Sequence, residues 1–451
     1  MNVIIIGCGR VGRTLAQKLN EDGNAVTVID SDAGKVKRVT DRYDVMGVVG
    51  NGATHTLQEE AGIASADLMI AVTASDELNL LCSLVAKKAS DCQTIARVKN
   101  PVYSVETPYL KDELGLAMVI NPEYEAAEEI ARVLRFPSAL KIEPFAKGKA
   151  ELIKFKLPKG NEIIGMSVKE VFMKYNSDLL ICTIEREDES YIANGDFVFE
   201  EKDVISIMAT PKNAYEFFAN IKCKGHSVKN ALIVGGGTIT HYLCQILEKS
   251  GISLTVIEKD MKRCEELSTQ WPKVKVIHGD GTDHDLLIEE GVDGAGAFVA
   301  LSDSDEENVL MSLFAKGEGC EKTVTKINRT DYDSLLSSLE LDTSVCPRIM
   351  TSDKILRYVR AMENTVGSNV ETLYNIIPGE VEAAEFFVRE NSPIVGVPLC
   401  KLKFKKDVLI ASICRDKQTI VPRGNDTIEA GDFVVVVSKH MGLYDIADVL
   451  K

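Results

Sequence analysis

Met1-Asn2-Val3-Ile4-Ile5-Ile6-Gly7-Cys8-Gly9-Arg10-Val11-Gly12 decides the fold. Residues 1–6 form an apolar, β-branched run too short for a globular helix, so they read as a strand buried on both faces. The Gly7-Cys8-Gly9-Arg10-Val11-Gly12 turn follows at once. Arg13 to Glu21 then carries a helical pattern with Leu15, Ala16 and Leu19 inward. Ala25 to Ile29 is a second strand, and it ends at Asp30. Strand, GxGxxG, helix, strand and acid is the dinucleotide fingerprint with its structural context present. Gly7 permits the tight turn, Gly9 lets a pyrophosphate approach the backbone, and Gly12 lets the helix pack close to the sheet. The helix N-terminus offers unpaired N–H groups and partial positive charge to phosphates. Asp30 is placed to accept ribose hydroxyls and would repel a 2′-phosphate, which favours NAD over NADP.

Downstream, Ala33 to Tyr43 reads as a helix and Val45 to Val49 as a third strand, closed by Gly50-Asn51-Gly52. Asn51 is either a contact on the adenine side of a ligand or a polar turn residue capping the next helix. Leu57 to Ala61 is helical, and Leu68 to Val72 is a fourth buried strand. Thr73 and Ala74 lie at its C-terminal end, where doubly wound folds bind ligands. Ser75-Asp76-Glu77 opens the next helix, and its acids suit the helix dipole better than a metal. Thr94 to Val98 is a fifth strand interrupted by Arg97, which needs a phosphate or an internal carboxylate as partner. Met118 to Ile120 is a sixth strand, and Asn121-Pro122 caps a helix running to Arg135. Pro137 to Lys149 reads as a linker. Strand-sized runs at Leu152–Leu157, Leu179–Glu185 and Val204–Ala209 then surround one helix, Ser167–Tyr175, in a small α+β module.

The 451 residues suggest about three domains at ~150 residues each. A net charge of −16 disfavours nucleic acid and direct adsorption to anionic lipid. No apolar stretch approaches the ~20 residues of a membrane span. A fold-forming strand beginning at residue 3 leaves no room for a signal peptide. Eleven cysteines without a CxxC spacing point to a reduced, cytoplasmic protein without structural zinc.

The chain then starts over. Ala231-Leu232-Ile233-Val234-Gly235-Gly236-Gly237-Thr238 repeats the opening strand and turn 228 residues later, and Glu258 stands 228 beyond Asp30. At an offset of 229, Gly50-Asn51-Gly52 returns as Gly279-Asp280-Gly281, Asp76 and Asn79 as Asp305 and Asn308, and Arg97 as Lys326. Ile130, Arg132 and Arg135 match Ile355, Arg357 and Arg360, and Asp203 of the small module matches Asp432. A registration this long marks a tandem duplication. The architecture expected is α/β: a duplicated, Rossmann-like, doubly wound parallel sheet, each copy followed by a small α+β module. The limits are 1–136, 140–222, 228–362 and 370–451. In the second copy Thr240 replaces the third glycine, and its branched side chain should push the helix off the strand. Glu258 keeps the ribose-binding chemistry, so a second site with a weaker or different ligand preference is expected. His55 and His284 also repeat, but no nucleophile or substrate domain accompanies them, and they read as pocket lining or helix-end residues. Asp283-His284-Asp285 likewise reads as a helix start rather than a metal site. No catalytic residue and no metal ligand is assigned. An NAD-dependent oxidoreductase with a duplicated Rossmann domain is the alternative, and it lacks an acid–base pair.

The tandem of Gly7–Gly12, Asp30, Thr73-Ala74-Ser75-Asp76-Glu77 and Ile95-Ala96-Arg97-Val98-Lys99-Asn100, each unit followed by a small module, resembles the TrkA family over essentially the whole chain. These are the peripheral nucleotide-binding subunits of Trk-type potassium uptake systems, built from regulator-of-potassium-conductance (RCK) domains. The resemblance implies a cytoplasmic regulator that binds NAD(H), with ATP or ADP as further ligands. It implies docking from the cytoplasmic face on a TrkH/TrkG-like potassium-translocating subunit, with the membrane reached only through protein contacts. It also implies domain rings, here a homotetramer. Carried over by position, the first site comprises Gly7, Cys8, Gly9, Arg10, Val11, Gly12, Asp30, Asn51, Gly52, Thr73, Ala74 and Arg97. The second comprises Gly235, Gly236, Gly237, Thr238, Glu258 and Asp280.

Overall fold

The structure, a computed structural model of the chain, describes residues 1–136, 139–175, 177–187, 189–222, 228–248, 250–328, 341–365, 370–377, 379–416, 418–440, 442–443 and 445–451. It divides into two compact units, residues 1–131 with 228–356, and residues 132–227 with 357–451.

The first unit holds two parallel six-stranded sheets. In the first, β1 (Asn2–Ile6), β2 (Ala25–Asp30), β3 (Met46–Val49), β4 (Leu68–Ala71), β5 (Gln93–Arg97) and β6 (Met118–Ile120) take the order β3-β2-β1-β4-β5-β6. The second sheet repeats this order with β12 (Asn230–Val234), β13 (Ser253–Glu258), β14 (Lys275–His278), β15 (Ala297–Ala300), β16 (Thr323–Lys326) and β17 (Thr343–Val345). Val3, Ile4, Ile5 and Ile6 are all buried, because helices cover both faces of a parallel sheet. Fully burying such side chains stabilises by about 1.5–3 kcal/mol each. The strand order reverses between β1 and β4, so the Gly7 and Thr73 loops meet at one switch point. Helices at Pro101–Val105 and Thr107–Leu114 fill the stretch before β6, which the hydrophobic pattern leaves unassigned.

The two copies pair with each other. Tyr242, in the helix Thr238–Leu247 of the second copy, is 2% exposed. Its hydroxyl donates to the Lys99 carbonyl at 3.0 Å and accepts the Asn121 amide at 2.9 Å. Its ring packs edge-on against Tyr124, with centroids 5.4 Å apart. Two ion pairs flank it, Lys18–Asp353 and Lys354–Glu125, each at 2.6 Å. The helices Pro122–Arg135 and Pro347–Thr365 thus find partners inside the chain. Arg357 and Arg360, the matches of Arg132 and Arg135, have side chains outside the described residues.

The second unit holds two antiparallel sheets. The first consists of β7 (Ala139–Phe145), β8 (Ala150–Lys156), β9 (Leu179–Arg186), β10 (Glu189–Ile192) and β11 (Val204–Ala209), in the order β10-β9-β11-β8-β7. The second consists of β18 (Val370–Ile377), β19 (Val381–Phe387), β20 (Val408–Arg415), β21 (Gln418–Ile420) and β22 (Phe433–Ser438), in the order β18-β19-β22-β20-β21. Most of the stretch read as a linker is therefore the edge strand β7, whereas residues 137 and 138 lie outside the described residues. The misreading has a physical source. Lys141, Glu143 and Pro144 break the apolar pattern, yet Ala139, Ile142 and Phe145 are buried.

Alternation along these strands serves two cores. Ile153 and Phe155 of β8 face the core of their own module, whereas Ala150 and Leu152 face a core shared by both modules. Val434 and Val436 of β22 face one way and Val435 and Val437 the other. The modules are small because each covers the second face of its neighbour.

The repeated acid of the modules has a shared use. Asp203 takes the Arg186 fork at 2.9 Å on both oxygens and also accepts the Glu200 N–H. Asp432 takes the Arg415 fork at 2.9 Å on both oxygens and accepts the Glu429 N–H. Both acids are buried, and each raises the pKa of its arginine, chiefly through the hydrogen-bonded pair. Asp203→Ala and Asp432→Ala should each destabilise the chain by about 2–4 kcal/mol, because a guanidinium loses its two-pronged carboxylate partner and a backbone N–H its acceptor. Denaturant titration checks this, with exposed Glu266→Ala expected within about 0.5 kcal/mol of the parent.

Candidate functional site

The glycine turn is fixed by close contacts. Gly7 sits at φ +108°, and a Cβ there would lie 3.0 Å from backbone atoms of Val72 and Thr73. A Cβ on Gly12 would lie 1.8 Å from the Gly7 carbonyl oxygen, so the helix Arg10–Glu21 approaches the turn as closely as backbone allows. Gly9, the residue before that helix, has space around it and caps nothing with a side chain. Its neighbour Arg10 is exposed, whereas Val11 is buried in the helix foot. The first N–H groups of the helix therefore face an open approach.

Asp30 closes the turn from the second strand. One carboxylate oxygen accepts the Cys8 N–H at 2.7 Å, and the other accepts the Asp32 N–H at 2.9 Å. A carboxylate has about four lone-pair positions, so two remain for ribose hydroxyls. The Cys8 thiol is no nucleophile, because burial and then the charge of Asp30 push its pKa up to about 12. Asn51 accepts the Ala53 N–H at 3.1 Å and its carbonyl receives Thr54, so it shapes its own turn. Gly52 is forced by β1, since a Cβ there would lie 2.4 Å from Ile6.

On the other side of the switch point, Thr73 is held by Asn79, whose Oδ1 accepts the Thr73 N–H at 2.8 Å and its hydroxyl at 2.7 Å. The Asn79 amide donates to the Arg97 carbonyl at 2.9 Å. Ala74 is left exposed at the loop tip. Asp76 is buried and accepts the Lys99 and Asn100 N–H groups at 3.0 and 2.8 Å, which joins the loops after β4 and β5. Its role is thus more than a helix-dipole partner. Asn308 and Asp305 repeat the same bonds to Ser302 and Asn328. Asn79 was not singled out as a site residue, although its recurrence as Asn308 was the available signal. Arg97 pairs with Glu123 at 3.3 Å, while its Nε is buried without a partner. Its counterpart Lys326 is buried and reaches the Leu301 carbonyl at 3.4 Å and Asp303 at 3.5 Å.

In the second turn, Gly237 has φ −68° and ψ −169°, against −68° and −166° for Gly9. The turn keeps these dihedrals although Thr240 replaces the third glycine. The Thr240 hydroxyl donates to the Gly235 carbonyl at 2.5 Å, a bond that requires its Cβ to stand farther from this oxygen than the 1.8 Å a Cβ on Gly12 would have. Glu258 repeats the work of Asp30, accepting the Gly236 N–H at 2.6 Å and the Asp260 N–H at 2.8 Å. Asp280 accepts the Thr282 N–H and hydroxyl, which hold its pKa below the ordinary value. Thr238 lines a cavity of about 330 Å³ beside the turn. His55 pairs with Glu59, and His284 stacks on Phe314 at 4.0 Å, so the repeated histidine has two unrelated local contacts. Asp283 caps its own helix. Among the described residues no group of three His, Cys, Asp or Glu is placed to hold a metal, and no helix is long and apolar enough to cross a membrane.

The two turns differ by a size exchange that sequence reading does not reveal. A Cβ on Gly236 would lie 2.7 Å from Leu267 Cδ1 and 3.1 Å from Glu258, whereas the first copy has Cys8, Asp30 and Val39 at the three matching positions. The added methylenes of Glu258 and Leu267 occupy the room of the missing side chain.

The chain matches the TrkA-N domain over residues 3–122 and 231–347 and the TrkA-C domain over residues 152–222 and 383–451. It is 33% identical to Trk system potassium uptake protein TrkA homolog 1 of Methanosarcina mazei, with 100% of each chain covered. It is 33% identical to the TrkA homolog of Archaeoglobus fulgidus, again over 100% of each. The GsuK channel bound to NAD shares the fold with a TM-score of 0.64 at 15% identity, over 97% of this chain and 76% of that one.

Gly236→Cys should destabilise the second copy by about 1–3 kcal/mol through overpacking. The triple variant Gly236→Cys, Glu258→Asp, Leu267→Val should recover most of that loss. Melting curves of the three steps check the exchange, since additive losses would show that the residues do not share one space.

Proposed function

The chain belongs to the TrkA family, and we propose on that premise that it is a cytoplasmic regulatory subunit that gates potassium uptake by nucleotide-dependent change of shape. Family membership sets the oxidoreductase alternative aside. The observation that carries the nucleotide reading is the duplicated turn. Each copy presents an open helix N-terminus at an extended glycine and backs it with an acid that holds the turn and keeps lone pairs free. NAD bound to GsuK, which shares this fold, supports NAD(H) as a ligand, and the same phosphate-binding chemistry admits ATP or ADP.

In this reading Gly7, Cys8, Gly9, Arg10, Val11 and Gly12 cradle the phosphates of the first ligand, and Asp30 takes the ribose. Asn51 and Gly52 flank the adenosine end, while Thr73, Ala74 and Arg97 close the far side. Gly235, Gly236, Gly237, Thr238, Glu258 and Asp280 do the same work in the second site. The Arg97–Glu123 pair gives the first site a built-in competitor, since a ligand phosphate would draw the guanidinium from its carboxylate. A ligand shifts a conformational equilibrium only by its difference in affinity between states, about 1–3 kcal/mol of coupling. The reader of that shift is a TrkH/TrkG-like potassium-translocating subunit, contacted from the cytoplasmic face through protein alone. The net charge of −16 supports the last point, because anionic lipid repels such a surface. The assembled form is a homotetramer.

Calorimetry with NAD, NADH, ADP and ATP should show two binding phases of unequal affinity, with Asp30→Ala removing one and Glu258→Ala the other. Binding unchanged in both variants would overturn the nucleotide assignment. Light scattering should give a tetramer, and detergent pull-down should recover the membrane subunit with it. A strict monomer that ignores the transporter under every nucleotide condition would sink the regulatory reading.

A further inference from the structure

The cavity beside the second glycine turn is built by both copies. The second copy contributes Gly237 and Thr238 at the start of the helix Thr238–Leu247, together with His241, Arg263 and Gln270. The opposite wall is Asn100–Val102, the loop that follows β5 in the first copy. At about 330 Å³ the space falls at the lower end of the small-molecule range of about 300–1,000 Å³. In a chain of charge −16, no carboxylate among the described residues lines it.

Several polar groups there keep hydrogen-bonding capacity unspent among the described residues. The helix has no side-chain cap and no acid in its first turn. His241 is 8% exposed and lies against the cavity. Its Nδ1 lies 3.1 Å from Gln270 Oε1, its ring packs edge-on against Tyr242 and Trp271, and its Nε2 has no partner among the described residues. Burial holds its pKa below the ordinary value. With Gln270 Oε1 as acceptor the proton sits on Nδ1; a phosphate at Nε2 would select the other tautomer, with the Gln270 amide turned to donate to Nδ1. Arg263 spends Nε on the Gly236 carbonyl and Nη1 on Glu266, and its Nη2 is free among the described residues. Asn100 accepts the Val102 N–H through Oδ1, and its Nδ2 is likewise free.

A helix N-terminus, a buried imidazole with one open nitrogen, a guanidinium and an amide converge on one acid-free space. We propose that this cavity is the phosphate end of a composite site, in which a nucleoside diphosphate held by the second copy is also gripped by the first. The inference rests on the nucleotide reading above and adds to it that the second site is incomplete without the first copy. Tyr242 is its positioning residue. One turn beyond Thr238 in the same helix, its hydroxyl bonds the Lys99 carbonyl and holds the loop against the cavity. Asp76, from the loop beside the first site, grips the same loop through the Lys99 and Asn100 N–H groups. Occupancy of the second site is thereby linked to the pairing of the copies and to the first site's own loop.

The test is calorimetry of the full chain with ADP as probe, after the two phases have been assigned by Asp30→Ala and Glu258→Ala. Asn100→Asp keeps the acceptor for Val102 and sets a negative charge against the diphosphate, and His241→Phe keeps the ring and removes its nitrogen. Each should weaken the Glu258-linked phase about tenfold, as expected for a lost charge-assisted bond, and leave the Asp30-linked phase in place. Tyr242→Phe should abolish most of the Asn100→Asp effect, a non-additivity that loss of stability alone would not produce. Two intact ADP phases with neither variant moving the Glu258-linked one would overturn the composite site and leave the nucleotide reading standing. An Asn100→Asp effect confined to the Asp30-linked phase would do the same, by assigning the loop to its own copy. Absence of any ADP phase in the parent chain would overturn the composite site, and absence of NAD, NADH and ATP phases as well would overturn the nucleotide reading with it.

Discussion

A hydrogen bond from a backbone N–H to the acid at the end of the next strand holds each ligand turn in shape. The Cys8 N–H meets Asp30, and the Gly236 N–H meets Glu258. This bond ties the turn to the neighbouring strand, and the helix foot then settles onto the turn carbonyl. In the first copy the contact is so close that only glycine fits at position 12. In the second, Thr240 donates a hydroxyl to the same carbonyl. The first copy meets this carbonyl with bare backbone, and the second meets it with a hydroxyl donor.

Duplication inside one chain lets the copies specialise. The glycine turns keep their backbone dihedrals, while Cys8, Asp30 and Val39 are exchanged for Gly236, Glu258 and Leu267 as a size-compensated set. Thr14 of the first copy stands where the second has Tyr242; Thr14 bonds the Arg10 carbonyl of its own helix, whereas Tyr242 reaches across to Lys99. A pair of identical sites would respond alike to a ligand. A pair joined by an asymmetric contact can respond in sequence, because linkage requires any effect of one site on the other to be returned.

The small modules obey another rule. A five-stranded sheet with helices over one face still has a second apolar face, and the two modules cover each other there. The buried Arg–Asp fork in each sits where a strand begins and satisfies backbone and carboxylate together. Glu151 and Glu382 add a cost at the start of β8 and β19, since burial raises the pKa of both.

The sequence alone determined the local grammar: the apolar β-branched run, the glycine spacing, the acid at the strand end and the recurrence of all three 228 residues later. Those features are legible because backbone sterics and hydrophobic period act over a few residues. The strand Ala139–Phe145 escaped because its outward residues are charged and its partner β8 supplies the reason for it to be a strand. The helices at Pro101–Val105 and Thr107–Leu114 escaped for want of a clear apolar stripe. Arg97 could be read as needing an anion, but only packing decided that Glu123 stands beside it. Asn79 and Asp76 were visible as repeats, yet their bonds to loops about twenty residues away had to be seen in space. The meeting of Tyr242 with Lys99, 143 residues apart, has no signature in either segment. Pairings of that kind depend on which surfaces two folded copies turn toward each other, and that is settled by shape and burial rather than by spacing along the chain.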